Sequence, residues 1–212
     1  MSLAGVVLCG GKSSRMGTAK AWLDFGGEPL LSRVVRAVAE VATPIVVVAA
    51  PGQDVPPLAP GIAVVRDKVA DRGPLEGIRA GLRAVASSSA RFAFVSSTDV
   101  PFLAPALVRR LAVLAAGPPE YAVVVPRVGG RYHPLGALYA LSVLGDVEAL
   151  LDADRLRPFF LFERVPTLVA DEALLLADPA LALADPELRS FRNVNTPEEY
   201  AAALEDATSH DM

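Results

Sequence analysis

A chain of 212 residues, 52% apolar and 21% charged, has the material for a large core, which excludes disorder except at the ends and suits a single domain. The formal net charge of −4 argues against a nucleic-acid partner. The one cysteine, Cys9, excludes an internal disulfide, no signal peptide is visible, and no apolar run approaches the roughly 18 to 20 residues that span a bilayer, so a cytoplasmic protein with no membrane partner is expected.

Leu3 to Leu8 is a continuous apolar run and reads as a buried strand. It feeds directly into Leu8-Cys9-Gly10-Gly11-Lys12-Ser13-Ser14-Arg15-Met16-Gly17-Thr18-Ala19-Lys20. The glycine pair lets backbone N–H groups approach phosphate oxygens with no Cβ in the way. Lys12, Arg15 and Lys20 then supply cations, and Ser13 and Ser14 supply hydroxyl donors. A Walker A loop needs Gly-Lys-Ser/Thr in succession, and a dinucleotide fingerprint needs G-x-G-x-x-G; neither spacing is present. The stretch reads as a third kind of nucleotide loop with its charges aimed at a triphosphate, set against the plainer reading of a Gly-Ser loop after a first strand. Cys9 ends a buried strand, where any small apolar residue would serve, and its thiol is given no chemistry.

Beyond a turn at Gly26-Gly27-Glu28-Pro29, helical spacing runs from Leu30 to Val41, and Pro44 closes it. Ile45 to Ala49 is an unbroken apolar strand, as expected in a parallel sheet. A proline-rich loop from Pro51 to Pro60 leads to a third strand, Ile62 to Val65. Helix, strand and helix follow at Leu75 to Ala86, Phe92 to Ser96 and Pro105 to Ala115, then a strand at Ala122 to Val125. The repetition predicts a single-domain, doubly wound, mostly parallel α/β sheet with helices on both faces. The C-terminal third is irregular. It holds a hairpin turn at Val128 to Arg131, a strand from Leu135 to Tyr139 that is the candidate antiparallel member, helices near 141–151 and 157–162, and a short strand at 167–170. The Ala/Leu/Asp/Pro-rich stretch 174–188 receives no assignment. Thr196 caps a last helix with Pro197 at its first position. The domain is expected to span 1–205, with 206–212 a disordered tail.

In open α/β sheets ligands bind beyond the carboxyl ends of the strands. Asp67 and Asp99 fall there beside the cationic loop. A carboxylate near a triphosphate repels it unless a cation intervenes, so Asp99 is the candidate ligand of Mg²⁺; the competing reading is a helix cap after Pro101. Asp67 offers paired acceptors for the adjacent N–H donors on guanine's Watson–Crick edge, or is a loop carboxylate paired with Arg66 or Lys68. His133 is either a substrate contact at the cleft mouth or a satisfied buried histidine. The run Ser96-Ser97-Thr98 has no partnering base, which argues against a serine hydrolase.

With these residues placed, the chain resembles the nucleotidyltransferases that attach a nucleoside monophosphate to the molybdenum cofactor, and most of all the molybdenum cofactor guanylyltransferases. Leu8 to Lys20 matches that family's Leu-Ala-Gly-Gly-x-Ser/Ala-x-Arg-Met-Gly-x-x-Lys loop, with Cys9 in the alanine position. Asp67 with Gly73-Pro74-Leu75-Glu76-Gly77, Asp99-Val100-Pro101-Phe102, His133-Pro134-Leu135 and Asn193-Val194-Asn195-Thr196-Pro197 follow its later motifs in order. Related cytidylyltransferases tend to have Asp-x-Asp-Thr-Pro at the last of these. One departure is Ala49-Ala50-Pro51, where the guanylyltransferases often place an Asn. The resemblance implies a Rossmann-like nucleotidyltransferase that moves GMP from GTP to the terminal phosphate of molybdopterin and releases pyrophosphate. The nucleotide-binding set would be Leu8, Cys9, Gly10, Gly11, Lys20, Asp67 and Asp99. Arg15, Lys20 and Asp99 would be catalytic, with Mg²⁺ on Asp99. A monomer is expected, with GTP and molybdopterin as partners and maturation proteins of molybdoenzymes as further candidates. The rival expectations are CTP in place of GTP, another phosphorylated acceptor such as phospholactate, and a non-catalytic cofactor carrier.

Overall fold

The computed structural model describes residues 2–10, 19–67, 72–117 and 119–210. Unbroken apolar runs become the buried strands β1 (Leu3–Leu8) and β2 (Ile45–Ala49), because a strand apolar on both sides must be covered on both faces. Strand β3 (Ala63–Arg66) lies mostly exposed at the sheet edge, one residue later than the predicted segment. Strand β4 (Phe92–Ser97) is wholly buried. Strands β5 (Val123–Val128) and β6 (Arg131–Tyr132) form the expected hairpin, with Gly129 and Gly130 both at positive φ in its two-residue turn.

The predicted antiparallel strand, β7 (Gly136–Ala140), is antiparallel, and it sits inside the sheet between β4 and β5. That interior place explains its continuous burial and the loss of polar alternation. The strand order is β3-β2-β1-β4-β7-β5-β6, and β8 (Thr167–Asp171) pairs in parallel with β5. The chain winds outward from β1 through β2 to β3, then returns to the other side of β1 as β4. A crevice therefore opens between the carboxyl ends of β1 and β4, where Leu8 and Ser97 stand side by side.

Helix α1 (Leu30–Ala39) buries Leu31, Val34, Val35 and Val38, the i, i+3, i+4, i+7 set, and packs with β1 and β2. Helix α2 (Pro74–Val85) covers β1 and β2 too, and helix α3 (Pro105–Ala116) touches α1, β5 and β7. Helix α2 also contacts α4 (Leu144–Asp152). Along β1, Gly5 faces Val38 of α1 while Val6 and Leu8 face α2, so the sheet is covered on both faces. Gly81 on α2 is needed for this approach, since a Cβ there would come within 2.2 Å of Val6 Cγ1.

The unassigned stretch resolves into short helices because two aspartates cap them. Asp171 accepts from Leu174 N at the start of α6 (Glu172–Leu176), and Asp178 accepts from Leu181 N at the start of α7 (Pro179–Ala184). The helix expected over 157–162 contracts to α5 (Phe159–Phe162). The last helix, α8 (Pro197–His210), runs through the segment assigned to a tail: Asp206 pairs with Arg192, which holds that turn to the body. Among the described residues no helix is long and apolar enough to cross a membrane.

Candidate active site

Three segments far apart in the chain meet at the crevice. Thr98 donates both its backbone N–H and its hydroxyl to the carbonyl of Leu8, each at 3.1 Å, which locks the end of β4 to the end of β1. Asp99 is thereby placed over the opening. Its Oδ1 accepts from Ser97 Oγ at 2.5 Å, and its Oδ2 accepts from Lys20 Nζ and from Asn193 Nδ2, both at 3.3 Å. Lys20 Nζ also donates to Asn195 Oδ1 at 2.7 Å. The capping alternative for Asp99 fails: helix α3 begins after Ala104 with no side-chain cap.

Local sequence explains why both asparagines arrive together. In Asn193-Val194-Asn195 the central Val194 is fully buried with Phe25, Leu30 and Ala203, and its N–H donates to the carbonyl of Asp99 at 2.9 Å. Extended chain alternates its side chains, so burying the valine turns both neighbours toward the crevice. The next residue starts α8 with a variant capping box. Thr196 Oγ1 accepts from Glu199 N at 3.2 Å, and Glu199 Oε2 reaches back to Asn195 N at 2.7 Å. Phe25 lies edge-on to Phe102 and Tyr200, which fastens the chain beyond Lys20 to the same helix.

The second side of the crevice is the loop after β2. Gln53 donates to the Cys9 carbonyl at 3.0 Å and accepts from Ala50 N at 3.0 Å, bridging the exits of β1 and β2. Arg66 donates to the carbonyls of Ala50 and Gln53, at 3.1 and 2.8 Å. Arg66 is therefore engaged with backbone and does not pair with Asp67, while Lys68, the other partner expected for that carboxylate, lies outside the described residues. Among the described residues Asp67 Oδ1 is buried without a hydrogen-bond partner. Burial, and next the neighbouring carboxylate of Glu76, push the Asp67 carboxyl above its usual range, with Arg79 partly opposing. A buried acceptor left unpaired is costly, and such atoms mark places where a ligand donor completes the bonding. Burial likewise pushes the Cys9 thiol up, in keeping with a residue that has no nucleophilic task.

Lys12, Ser13, Ser14, Gly17 and the predicted site residues Gly11 and Arg15 lie outside the described residues. Among the described residues no group of three His, Cys, Asp or Glu side chains could cage a metal. The donor set at Asp99 is one carboxylate with hydroxyl and amide neighbours. That suits a hard ion which completes its coordination with phosphate oxygens and water, as Mg²⁺ does, and does not suit an ion held by protein alone.

A glycine-rich sequence follows β1, an acidic residue follows β4, and a lysine pairs with that acid, as suits nucleotide transfer; residues 5–167 match the MobA-like NTP transferase domain. The chain belongs to that family.

Among MobA-like NTP transferases, a relative from Mycobacterium avium (strain 104) named "Probable molybdenum cofactor guanylyltransferase" is 40% identical over 153 residues, 71% of this chain and 76% of its own length. The solved structure of molybdopterin-guanine dinucleotide biosynthesis protein A from Archaeoglobus fulgidus superposes with a TM-score of 0.73 at 22% identity, covering 99% of this chain and 100% of that one. The 2-C-methyl-D-erythritol 4-phosphate cytidylyltransferase of Thermus thermophilus gives 0.68 at 18% identity, covering 98% and 100%. At such identities the two structures establish the shared nucleotidyltransferase fold.

In this MobA-like transferase the structure brings the expected Lys20 and Asp99 together at the carboxyl edge of the sheet, with Asp67 following β3, and it adds Ser97, Asn193, Asn195 and Gln53 as neighbours that sequence reasoning did not include in the candidate site. The Asn-Val-Asn alternation before a capped helix was the available signal for the asparagines. Gln53 carried none, because its role arises from the path of a proline-rich loop. His133 is half-buried, with its ring 4.5 Å from that of Phe191 and Nε2 3.4 Å from the Val128 carbonyl; burial lowers its pKa.

Proposed function

We propose that this chain transfers GMP from GTP to the terminal phosphate of molybdopterin, releasing pyrophosphate. A phosphate oxygen of the acceptor attacks the α-phosphorus, and the bond from that phosphorus to the β-bridging oxygen breaks. The acceptor phosphate is already ionised, so no strong base and no covalent enzyme intermediate are needed. The work is positioning and charge neutralisation. The observation that carries the reading is the Lys20–Asp99 pair at 3.3 Å, held by Asn193 and Asn195 at the crevice between β1 and β4, where the strand order switches. Lys20 stands ready to draw charge onto the leaving pyrophosphate. Asp99 would hold Mg²⁺, which when bound supplies neutralisation of phosphate charge. The unpaired Asp67 Oδ1 supports a hydrogen-bond donor from the nucleoside at that point. The name borne by the M. avium relative supports the guanine and molybdenum-cofactor assignments.

The test is pyrophosphate release by purified protein given molybdopterin, Mg²⁺ and either GTP or CTP, with thermal shift by each nucleotide beside it. Turnover and stabilisation with GTP are expected. Turnover with CTP alone would end the guanine assignment. Binding of molybdopterin with no pyrophosphate released under either nucleotide would make the chain a carrier.

A further inference from the structure

Cys9 and Gly10 continue β1, while Asp67 follows β3 at the sheet edge, so the two ends of the candidate nucleotide site hang on separate strands. Strand β2 runs between them, and its exit touches both. Cys9 N donates to the Val48 carbonyl at 2.8 Å, and Asp67 N donates to the Ala49 carbonyl at 3.0 Å. Gly10 lies against Ala50, where a Cβ would stand 3.4 Å from Ala50 N.

Past Ala49 the strand ladder ends and side chains take over. Gln53 Nε2 donates to the Cys9 carbonyl at 3.0 Å and to Cys9 Sγ at 3.3 Å, while Oε1 accepts from Ala50 N at 3.0 Å. The amide is thus engaged by protein at both ends and is not held out to a ligand. Arg66, next to Asp67 in the chain, completes the connection, since its Nη1 donates to the carbonyls of Ala50 and Gln53. Neither side chain belongs to the core: Arg66 is exposed and Gln53 is partly buried, on a loop outside every helix and strand. What the two bonds sets share is the path from Cys9 to Asp67.

We infer that Gln53 and Arg66 are positioning residues, a clamp that fixes the distance from the β1 exit to Asp67 and so sets affinity for a ligand reaching both. The inference rests on the nucleotide reading given above, in which the phosphates meet the stretch beginning at Cys9 and the base meets Asp67. A ligand that spans two subsites binds tightly when their separation is held in advance, because no ordering cost then falls on the binding step. Loosening the clamp therefore weakens the whole nucleotide and spares a fragment that occupies one end.

The test uses Gln53→Met, neutral and of similar length, and Arg66→Met, which opens the other end of the clamp. GTP and inorganic tripolyphosphate are titrated into each protein with Mg²⁺ at about 0.15 M salt, where exposed charge is screened. Circular dichroism should stay native in both variants. Gln53→Met is expected to weaken GTP by about tenfold, the scale of two lost neutral hydrogen bonds, and tripolyphosphate by no more than about twofold. Arg66→Met should show the same split, and in both variants KM for GTP should rise while KM for molybdopterin stays unchanged. Wild type that binds CTP and not GTP, with the same split for CTP in Gln53→Met, would sink the guanine assignment and leave the clamp standing. Wild type that binds GTP but releases no pyrophosphate, with the split intact, would do the same to the transferase reading. GTP affinity unchanged in both variants would overturn the clamp. So would tripolyphosphate weakened as much as GTP in Gln53→Met, which would make Gln53 a phosphate contact.

Discussion

Lys20 and Asn195 stand 175 positions apart in the chain and meet at 2.7 Å. The contact closes the candidate site from two ends, with the lysine just after the glycine-rich stretch in sequence and the asparagine just before the final helix. Two devices hold it: Val194 buried among Phe25, Leu30 and Ala203, and the exposed Thr196–Glu199 cap.

Asn195→Ala should therefore lower kcat/KM while leaving the fold intact. Losing one hydrogen bond to a charged group costs about 1.5 to 3 kcal/mol, which is roughly 10- to 100-fold in rate if it is felt in the transition state. The melting temperature should move by no more than about 2 °C, because the side chain is only partly buried and contributes to no core. Pyrophosphate release and calorimetry on the same preparation check both halves. Unchanged kcat/KM would mean that Lys20 is positioned without Asn195.

Asp99→Ala should separate fold from turnover more sharply. The carboxylate collects Ser97, Lys20 and Asn193 and is the candidate Mg²⁺ ligand, so its removal should cut turnover by about 100- to 1,000-fold. Circular dichroism should stay native. Wild-type rates in this variant would remove Asp99 from the site.

Much of this arrangement could be read from the chain, and the parts that could not share one cause. Strands β1, β2 and β4 announced themselves because runs such as Ile45 to Ala49 have no reading except burial on both faces. The crevice followed from the strand–helix alternation, and with it the placement of Lys20 and Asp99 on one edge. Legibility failed where a residue's role depends on a partner distant in sequence. Gln53 bridges Cys9 and Ala50 from a proline-rich loop, and the expected antiparallel strand β7 sits inside the sheet between β4 and β5, a place its apolar pattern does not record. Asp178 and Asp171 cap short helices in an alanine-leucine stretch with no periodicity long enough to count.

Val194→Ala tests the mechanical claim that a buried valine aims two asparagines. Loss of a fully buried side chain of this size costs about 1.5 to 3 kcal/mol, or roughly 3 to 12 °C in melting temperature for a domain of this length. Activity below the melting point should fall as well, with kcat affected more than KM for nucleotide. A destabilised variant with unaltered kcat would show that Asn193 and Asn195 find Asp99 and Lys20 without the valine.

Gly81→Ala should destabilise despite alanine's better helix propensity, worth about 1 kcal/mol. The added methyl would meet Val6 Cγ1 at 2.2 Å, and Val6 is β-branched and fully buried in a central strand, so neither partner yields easily. Overpacking of this kind costs about 1 to 3 kcal/mol. A higher midpoint in urea than wild type would mean that α2 shifts outward freely.

Asp67→Asn reverses the usual expectation for a site substitution, because it should raise stability. Burial first, then Glu76, lift the Asp67 carboxyl above its ordinary value of 3.8 in the folded chain. A group lifted in this way favours the fold in its protonated form. Its contribution is complete below about pH 3.8 and is lost as pH climbs through the higher folded value. The ionised carboxylate is thus the form that burial penalises, and a nucleoside donor at Oδ1 would offset that penalty. The amide variant should melt above wild type at pH 7, the gap should narrow as pH falls toward 4, and GTP should stabilise the variant less than it stabilises wild type. A variant that melts lower at pH 7, or whose advantage grows on acidification, would mean that Asp67 finds a partner in the folded protein and is no vacancy for a nucleoside donor.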